Sequence, residues 1–210
     1  MARRSRFRSP AAERLQRAEI DEIVVGDPPR AWESLGFAVA DAVVALGGVR
    51  ISLGARAPGI VGWSLRGARS QDLDGLETHE SNAAPPQPVE HPVGAVAVDH
   101  LVALTPDLDR TVEKLRAAGL DHRLTRDGGG GMRQAFFALG PCLLELAGPA
   151  EGEVRFWGLT VVVEDLDAAA ERLGERLGRV KAAVQPGRRI ATLRPEAGLS
   201  VPLALMTPRG

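Results

Sequence analysis

Residues 98–109 read VDHLVALTPDLD, and their order of apolar, capping and helical signals decides the fold. With Ala95, Val96 and Ala97 they form a β-branched, apolar run that ends at Leu104. Pro106-Asp107-Leu108-Asp109 then offers a helix entry with an N-cap, and Leu108, Val112 and Leu115 recur at helical spacing until Gly119. Beyond that stop, 121–126 is a short strand candidate and Gly128 to Gly131 a flexible turn. Two more strands, 133–139 (RQAFFAL) and 142–147 (CLLELA), flank Gly140-Pro141. The unit is βαβββ.

The same order recurs downstream. Phe156 to Val163 reads as a strand, Glu164-Asp165-Leu166-Asp167 as a helix entry, Leu166, Ala170, Leu173 and Leu177 as an apolar stripe, and Gly178 as its stop. Strand candidates follow at 180–184, 188–194 and 199–205, and superposing Asp107 on Asp165 gives a repeat of 58 residues. Upstream lies a shorter copy: Ile20 to Val25 as strand, Asp27-Pro28-Pro29 opening a helix that Gly36 closes, then strands at 37–46, 48–53 and 60–65. A βαβββ unit exposes one apolar sheet face, so three copies leave one without a mate. The expected remedy is a homodimer in which N-terminal modules pair about a two-fold axis.

Composition bounds the rest. The 210 residues include 26 Lys+Arg, 27 Asp+Glu and a lone cysteine, Cys142, and hold no run of 18 apolar residues. A disulfide framework, a membrane-spanning helix and general disorder are thereby excluded as expectations. Six arginines fall in the first eighteen residues, but no apolar stretch of a secretory signal accompanies them, so the expected compartment is the cytoplasm. With only Lys114 and Lys181 as lysines, the arginines read as compositional bias, and nucleic acid is not an expected partner. The segment 69–94 carries Pro85, Pro86, Pro88 and Pro92 and almost no large apolar residue, which reads as a semi-rigid linker. The expected organisation is a basic arm over 1–18, an N-terminal βαβββ-like module over 19–68, the linker over 69–94, and a paired-module domain over 95–208.

VDHLVALTPDLD, followed by RQAFFALGPCLLELAGP at 133–149, resembles the vicinal oxygen chelate superfamily of glyoxalases, bleomycin-resistance proteins and extradiol dioxygenases. The resemblance implies an α+β fold in which modules 95–149 and 156–208 pair into a cupped, incomplete eight-strand barrel with helices outside and a ligand cavity inside. It also implies metal ligands on the first and last strands of each module. His100 stands at the first-strand position and Glu145 at the last-strand position of the first module. Gly158 and Ala204 stand at the corresponding places of the second, so both of its ligands are absent. A catalytic divalent ion usually keeps three protein ligands. His122, Gln185 and Glu22 are the candidates for a third, and spacing singles out none of them.

A carboxylate flanked by Leu144 and Leu146 costs several kcal/mol if buried alone, so Glu145 requires His100, an arginine such as Arg133 or Arg188, a metal, or cavity water. The expected ligand-binding set is His100, Glu145, Phe137, Trp157 and Arg188, with Phe136 and Gln185 as neighbours of interest and Cys142 as a buried hydrophobe. Three functions compete. The leading one is a small-molecule binder of the bleomycin-resistance kind that needs no cofactor. The second is a metal-dependent, glyoxalase- or dioxygenase-like enzyme using His100 and Glu145. The third is a purely structural role, which predicts a filled cavity.

Overall fold

The computed structural model describes residues 17–210, so the arm expected over 1–18 lies almost wholly outside the described residues. The chain runs β1 (Glu19–Val25), α1 (Pro29–Ser34), β2 (Val43–Leu46), β3 (Val49–Ser52), β4 (Ile60–Arg66) and β5 (Thr78–Glu80). These strands form a five-stranded sheet of order β2-β3-β1-β4-β5. The first full module follows as β6 (Ala95–Leu104), α2 (Leu108–Ala117), β7 (Asp121–Gly129), β8 (Met132–Leu139) and β9 (Cys142–Gly148). The second comprises β10 (Arg155–Val163), α3 (Leu166–Leu173), a single 3₁₀ turn (Gly174–Arg176), β11 (Lys181–Ala182), β12 (Arg189–Thr192) and β13 (Leu203–Met206).

Both helices of the paired modules start as their sequences dictate. Asp107 accepts from the backbone N–H of Arg110, and Asp165 from those of Asp167 and Ala168. Their eight strands lie in the order β11-β12-β13-β10-β6-β9-β8-β7, with β7 and β11 left as unjoined edges, so the barrel is open. The strand expected over 199–205 begins only at Leu203. Pro202 has no N–H to give a ladder, and its carbonyl instead accepts from Leu159 N at 2.9 Å.

The paired halves are related by a pseudo-dyad through the antiparallel β6–β10 ladder, in which Val102 faces Gly158, Leu101 faces Leu159 and His100 faces Thr160. The register skips Asp99 and, nearer the strand start, Val96 on β6, and Trp157 on β10. Asp99 and Trp157 are 58 residues apart, the repeat read from the sequence.

The N-terminal unit has the expected element order but a different pairing. Its β4 does not extend the β2-β3 edge; it pairs antiparallel with β1 on the opposite side, as β10 pairs with β6. The registers agree residue by residue. Glu22 faces Ser64 as His100 faces Thr160, Val24 faces Gly62 as Val102 faces Gly158, and Asp21 and Val61 are skipped as Asp99 and Trp157 are. β5 runs parallel to β4 just as β13 does to β10. The five-stranded sheet is therefore a reduced paired domain in its own right. Its second half is only β4 and β5, joined by 67–77.

That arrangement divides the segment expected as a linker. Residues 78–80 supply edge strand β5, and Leu73, Leu76 and Thr78 are buried. Thr78-His79-Glu80 contains no apolar residue, so the strand leaves no apolar pattern in the sequence. The proline-rich stretch beyond it returns to the sheet through His91, whose Nδ1 accepts from Ala38 N at 3.0 Å while Nε2 donates to Ala45 O at 2.9 Å.

The two sheets share one continuous core, in which Trp63 of β4 packs edge-on against Phe156 of β10 with ring centroids 5.1 Å apart. Buried Asp27 adds a polar tie, accepting from both Ser200 N and Ser200 Oγ at 2.6 Å. The premise of the homodimer expectation is thus met inside the chain: the apolar side of the N-terminal sheet is covered by its own C-terminal domain. No helix among the described residues is long and apolar enough to cross a membrane.

Candidate functional site

The concave side of the eight-stranded sheet holds a cleft of about 570 Å³ between the open edges. Strand alternation decides what lines it. On β8, Gln134 and Phe136 face the cleft while Ala135 and Phe137 face the core; on β9, Leu143 and Glu145 face in while Cys142 and Leu144 face away. Ile190 and Met206 complete an apolar wall from the second module.

At one end of that wall His100 and Glu145 come together, His100 Nε2 lying 3.8 Å from Glu145 Oε2, each side chain only about one-seventh exposed. Glu145 Oε1 accepts from Gln134 Nε2 at 2.5 Å, so the carboxylate has the polar partner that its leucine flanks demand. The bulge at Asp99 turns two consecutive side chains to the same side, and His100 Nδ1–H donates to Asp99 Oδ2 at 2.8 Å. The ring's other nitrogen, Nε2, faces the cleft, 3.0 Å from Thr160 Oγ1.

Asp99 is itself buried and would be costly alone. Arg188, 4% exposed, donates from Nη1 to Asp99 Oδ1 at 2.6 Å and to Gln185 Oε1, and from Nε to Thr207 O at 2.8 Å. Burial pushes the Asp99 carboxyl up, but the hydrogen bonds and charges of His100 and Arg188 outweigh it and hold the group below the usual carboxylate range. Cys142 is pushed up to about 12, chiefly by burial and then by the nearby charge of Asp99, which makes its thiol inert.

Of the other residues expected at the site, Phe137 is fully buried, because it neighbours cleft-facing Phe136 on the same strand and must point the other way. Trp157, 51% exposed, sits at the β10 bulge outside the cleft lining. Arg188 lies behind the cleft and reaches it only through Asp99 and Gln185. Arg133 pairs with Asp109 at 2.9 Å, away from Glu145. The sequence did not single out Asp99, Gln134 or Thr160. Asp99 had a signal, being a carboxylate inside an apolar strand. Gln134 followed from alternation once Glu145 was placed. Thr160 had none.

The fold family implies a divalent ion, and the donor set does not fit one. His100 Nε2 and Glu145 Oε2 are the two donors on a common side; the remaining positions are Gly158 and Ala204, which have nothing to ligate with. Adding even a Cβ at Gly158 would bring it within 2.9 Å of Pro202 O. None of the three candidates for a third ligand is placed to serve. His122 bonds Thr125 at 3.0 Å and packs on Phe137, Gln185 is engaged by Arg188, and Glu22 accepts from Ser52 and Ser64 on the other sheet. Among the described residues no group of three or more His, Cys, Asp or Glu is arranged to hold a metal ion.

Two βαβββ units joined through their first strands into an open eight-stranded cup define the vicinal oxygen chelate fold, and 95–208 has that architecture. No protein-family model matches the chain, and no curated protein sequence matches it. Solved structures that resemble it include methylmalonyl-CoA epimerase from Mycobacterium tuberculosis, at 22% identity and a TM-score of 0.48 over 56% of this chain and 91% of that one. A hypothetical protein from Bacillus halodurans C-125 is similar at 15% identity and a TM-score of 0.46, over 54% of this chain and 94% of that one. A variant of the Streptomyces coelicolor methylmalonyl-CoA epimerase, in complex with 2-nitronate-propionyl-CoA, is similar at 26% identity and a TM-score of 0.44, over 54% and 97%.

Proposed function

We propose that the chain is a small-molecule-binding protein of the glyoxalase and bleomycin-resistance kind, resident in the cytoplasm, that works without a catalytic metal. One observation carries this reading: Glu145, hydrogen-bonded by Gln134 and with His100 3.8 Å away, forms a polar set at the end of an open, largely apolar cleft. Such a cleft takes up a mostly apolar ligand by area, while a few fixed donors and acceptors set its orientation. A purely structural role predicts a filled cavity, and the open volume stands against it.

The test is native mass spectrometry with elemental analysis on protein purified without added metal. We expect no stoichiometric divalent ion, and a small-molecule adduct that disappears in His100→Ala/Glu145→Leu. A stoichiometric ion lost on His100→Ala overturns the reading in favour of the metal-dependent enzyme.

A second reading is favoured by Asp99. A buried carboxylate that fixes the imidazole tautomer leaves Nε2 as a proton acceptor toward the cleft, with Glu145 as a second acid–base group beside it. Turnover of a bound ligand that is lost in Asp99→Asn while its binding persists distinguishes this reading from binding alone.

A further inference from the structure

We infer that the occupant of the cleft is an amphiphilic anion, with an apolar body along the sheet and an acidic group at the mouth. This rests on the binding reading above and names its ligand class.

Charge is the first observation. Three cations line the cleft, Arg123, Arg126 and Lys181, against one carboxylate, Glu145, which Gln134 and His100 already engage. Arg123 pairs with Asp121 at 3.2 Å, whereas Arg126 and Lys181 have no ion-pair partner among the described residues. The cations stand on both lips, Arg123 and Arg126 on edge strand β7 and Lys181 on edge strand β11. Edge strands often carry charge merely to deter pairing, and Lys181 alone says no more than that.

Arg126 says more. Its guanidinium lies over the Phe136 ring, 4.9 Å from the centroid, and its Nε donates to Gln134 Oε1 at 3.0 Å. Gln134 therefore links the cation to Glu145, donating to the one and accepting from the other. A guanidinium stacked and hydrogen-bonded in this way is fixed in orientation, with its remaining N–H donors left for a ligand.

The lips are also apolar. Leu124 and Val184 are 48% and 78% exposed, and both line the cleft mouth, one on each side. The β7 bulge at Arg123 puts a cation and Leu124 side by side on the cleft face. A neutral hydrocarbon would leave the cations unanswered, and a small hydrophilic anion would leave Leu124 and Val184 in water. An apolar acid answers both.

Two fluorescent probes of similar shape test this: anilinonaphthalene sulfonate, which is anionic, and neutral N-phenylnaphthylamine. The intact protein should bind the sulfonate about tenfold more tightly, the effect expected of one charge-assisted contact. Arg126→Ala/Lys181→Ala, which alters two exposed side chains, should abolish that preference and leave the neutral probe within about twofold. Equal binding of both probes, unchanged in the double variant, overturns the anion assignment while the cleft stands. Failure of both probes to bind, or binding that survives cleft-filling by Leu143→Trp or by exposed Ala182→Trp, overturns the assignment together with the binding reading.

Discussion

The molecule contains two concave sheets built on one register, and they end differently. In each, a bulged aspartate precedes the residue that faces into the cup: Asp21-Glu22 on β1 and Asp99-His100 on β6, 78 residues apart. Each aspartate is buried and ion-paired, Asp21 with Arg50 and Arg66, Asp99 with Arg188. Each following side chain bonds the hydroxyl opposite, Glu22 with Ser64 and His100 with Thr160. Where Glu145 meets His100, Ser52 meets Glu22. The difference lies in the strands beyond. The eight-stranded sheet holds a cleft between its open edges, and the five-stranded sheet keeps the bulge and the ion pair on fewer strands. The bulged, ion-paired aspartate therefore belongs to the fold of both sheets.

The sharpest way to break the comparison is to remove each arginine. Arg188→Met leaves Asp99 buried without its cation, and a loss of about 3–5 kcal/mol is expected in denaturant unfolding. Arg50→Met should cost much less, about 1 kcal/mol, because Arg66 and Ser81 still serve Asp21 and Arg50 is one-quarter exposed. Equal losses would show that Arg66 and Ser81 do not stand in for Arg50 at Asp21.

A slightly smaller effect concerns the seam. Trp63→Ala opens a cavity against Phe156 and should cost about 3–4 kcal/mol. Because the core is continuous, unfolding should stay a single transition by fluorescence and far-ultraviolet dichroism alike. Two separate transitions would mean that the sheets fold as independent units.

Smaller again is the acid limb. Asp99 has its folded value held below the unfolded one of about 3.9. Its ionised form thus contributes stability above about pH 4 that is lost as pH falls through the folded value. Asp99→Asn should flatten the fall in stability below pH 4, read from denaturant unfolding at stepped pH. The smallest effect is Asp27→Ala, about 1–2 kcal/mol for the Ser200 tie, read from the melting midpoint.

What the sequence displays follows the same division. Strand, helix and turn order in 95–208 is legible because Asp107 and Asp165 are true caps and the apolar stripes have helical spacing. The meeting of His100 with Glu145 is legible only through the resemblance, since 45 residues, a helix and two strands separate them in the chain. Bulges are not legible. A skipped residue changes facing without changing composition, and so Asp99 went unmarked and Trp157 was expected in a cavity it does not enter. Phe137 was misplaced by one position, the smallest error that reverses a strand side chain. The N-terminal pairing was hidden for a different reason: β4 is equally apolar whichever edge of the sheet it joins, and only long-range register distinguishes the two.

The placement of the tryptophans makes the chain its own optical instrument. Trp32 and Trp63 are fully shielded in the N-terminal half, Trp157 is half in water on the cleft domain, and tyrosine is missing from the sequence. Emission should therefore separate into a blue component that iodide cannot reach and a red one that it quenches, reporting the two halves in a single cuvette without any label.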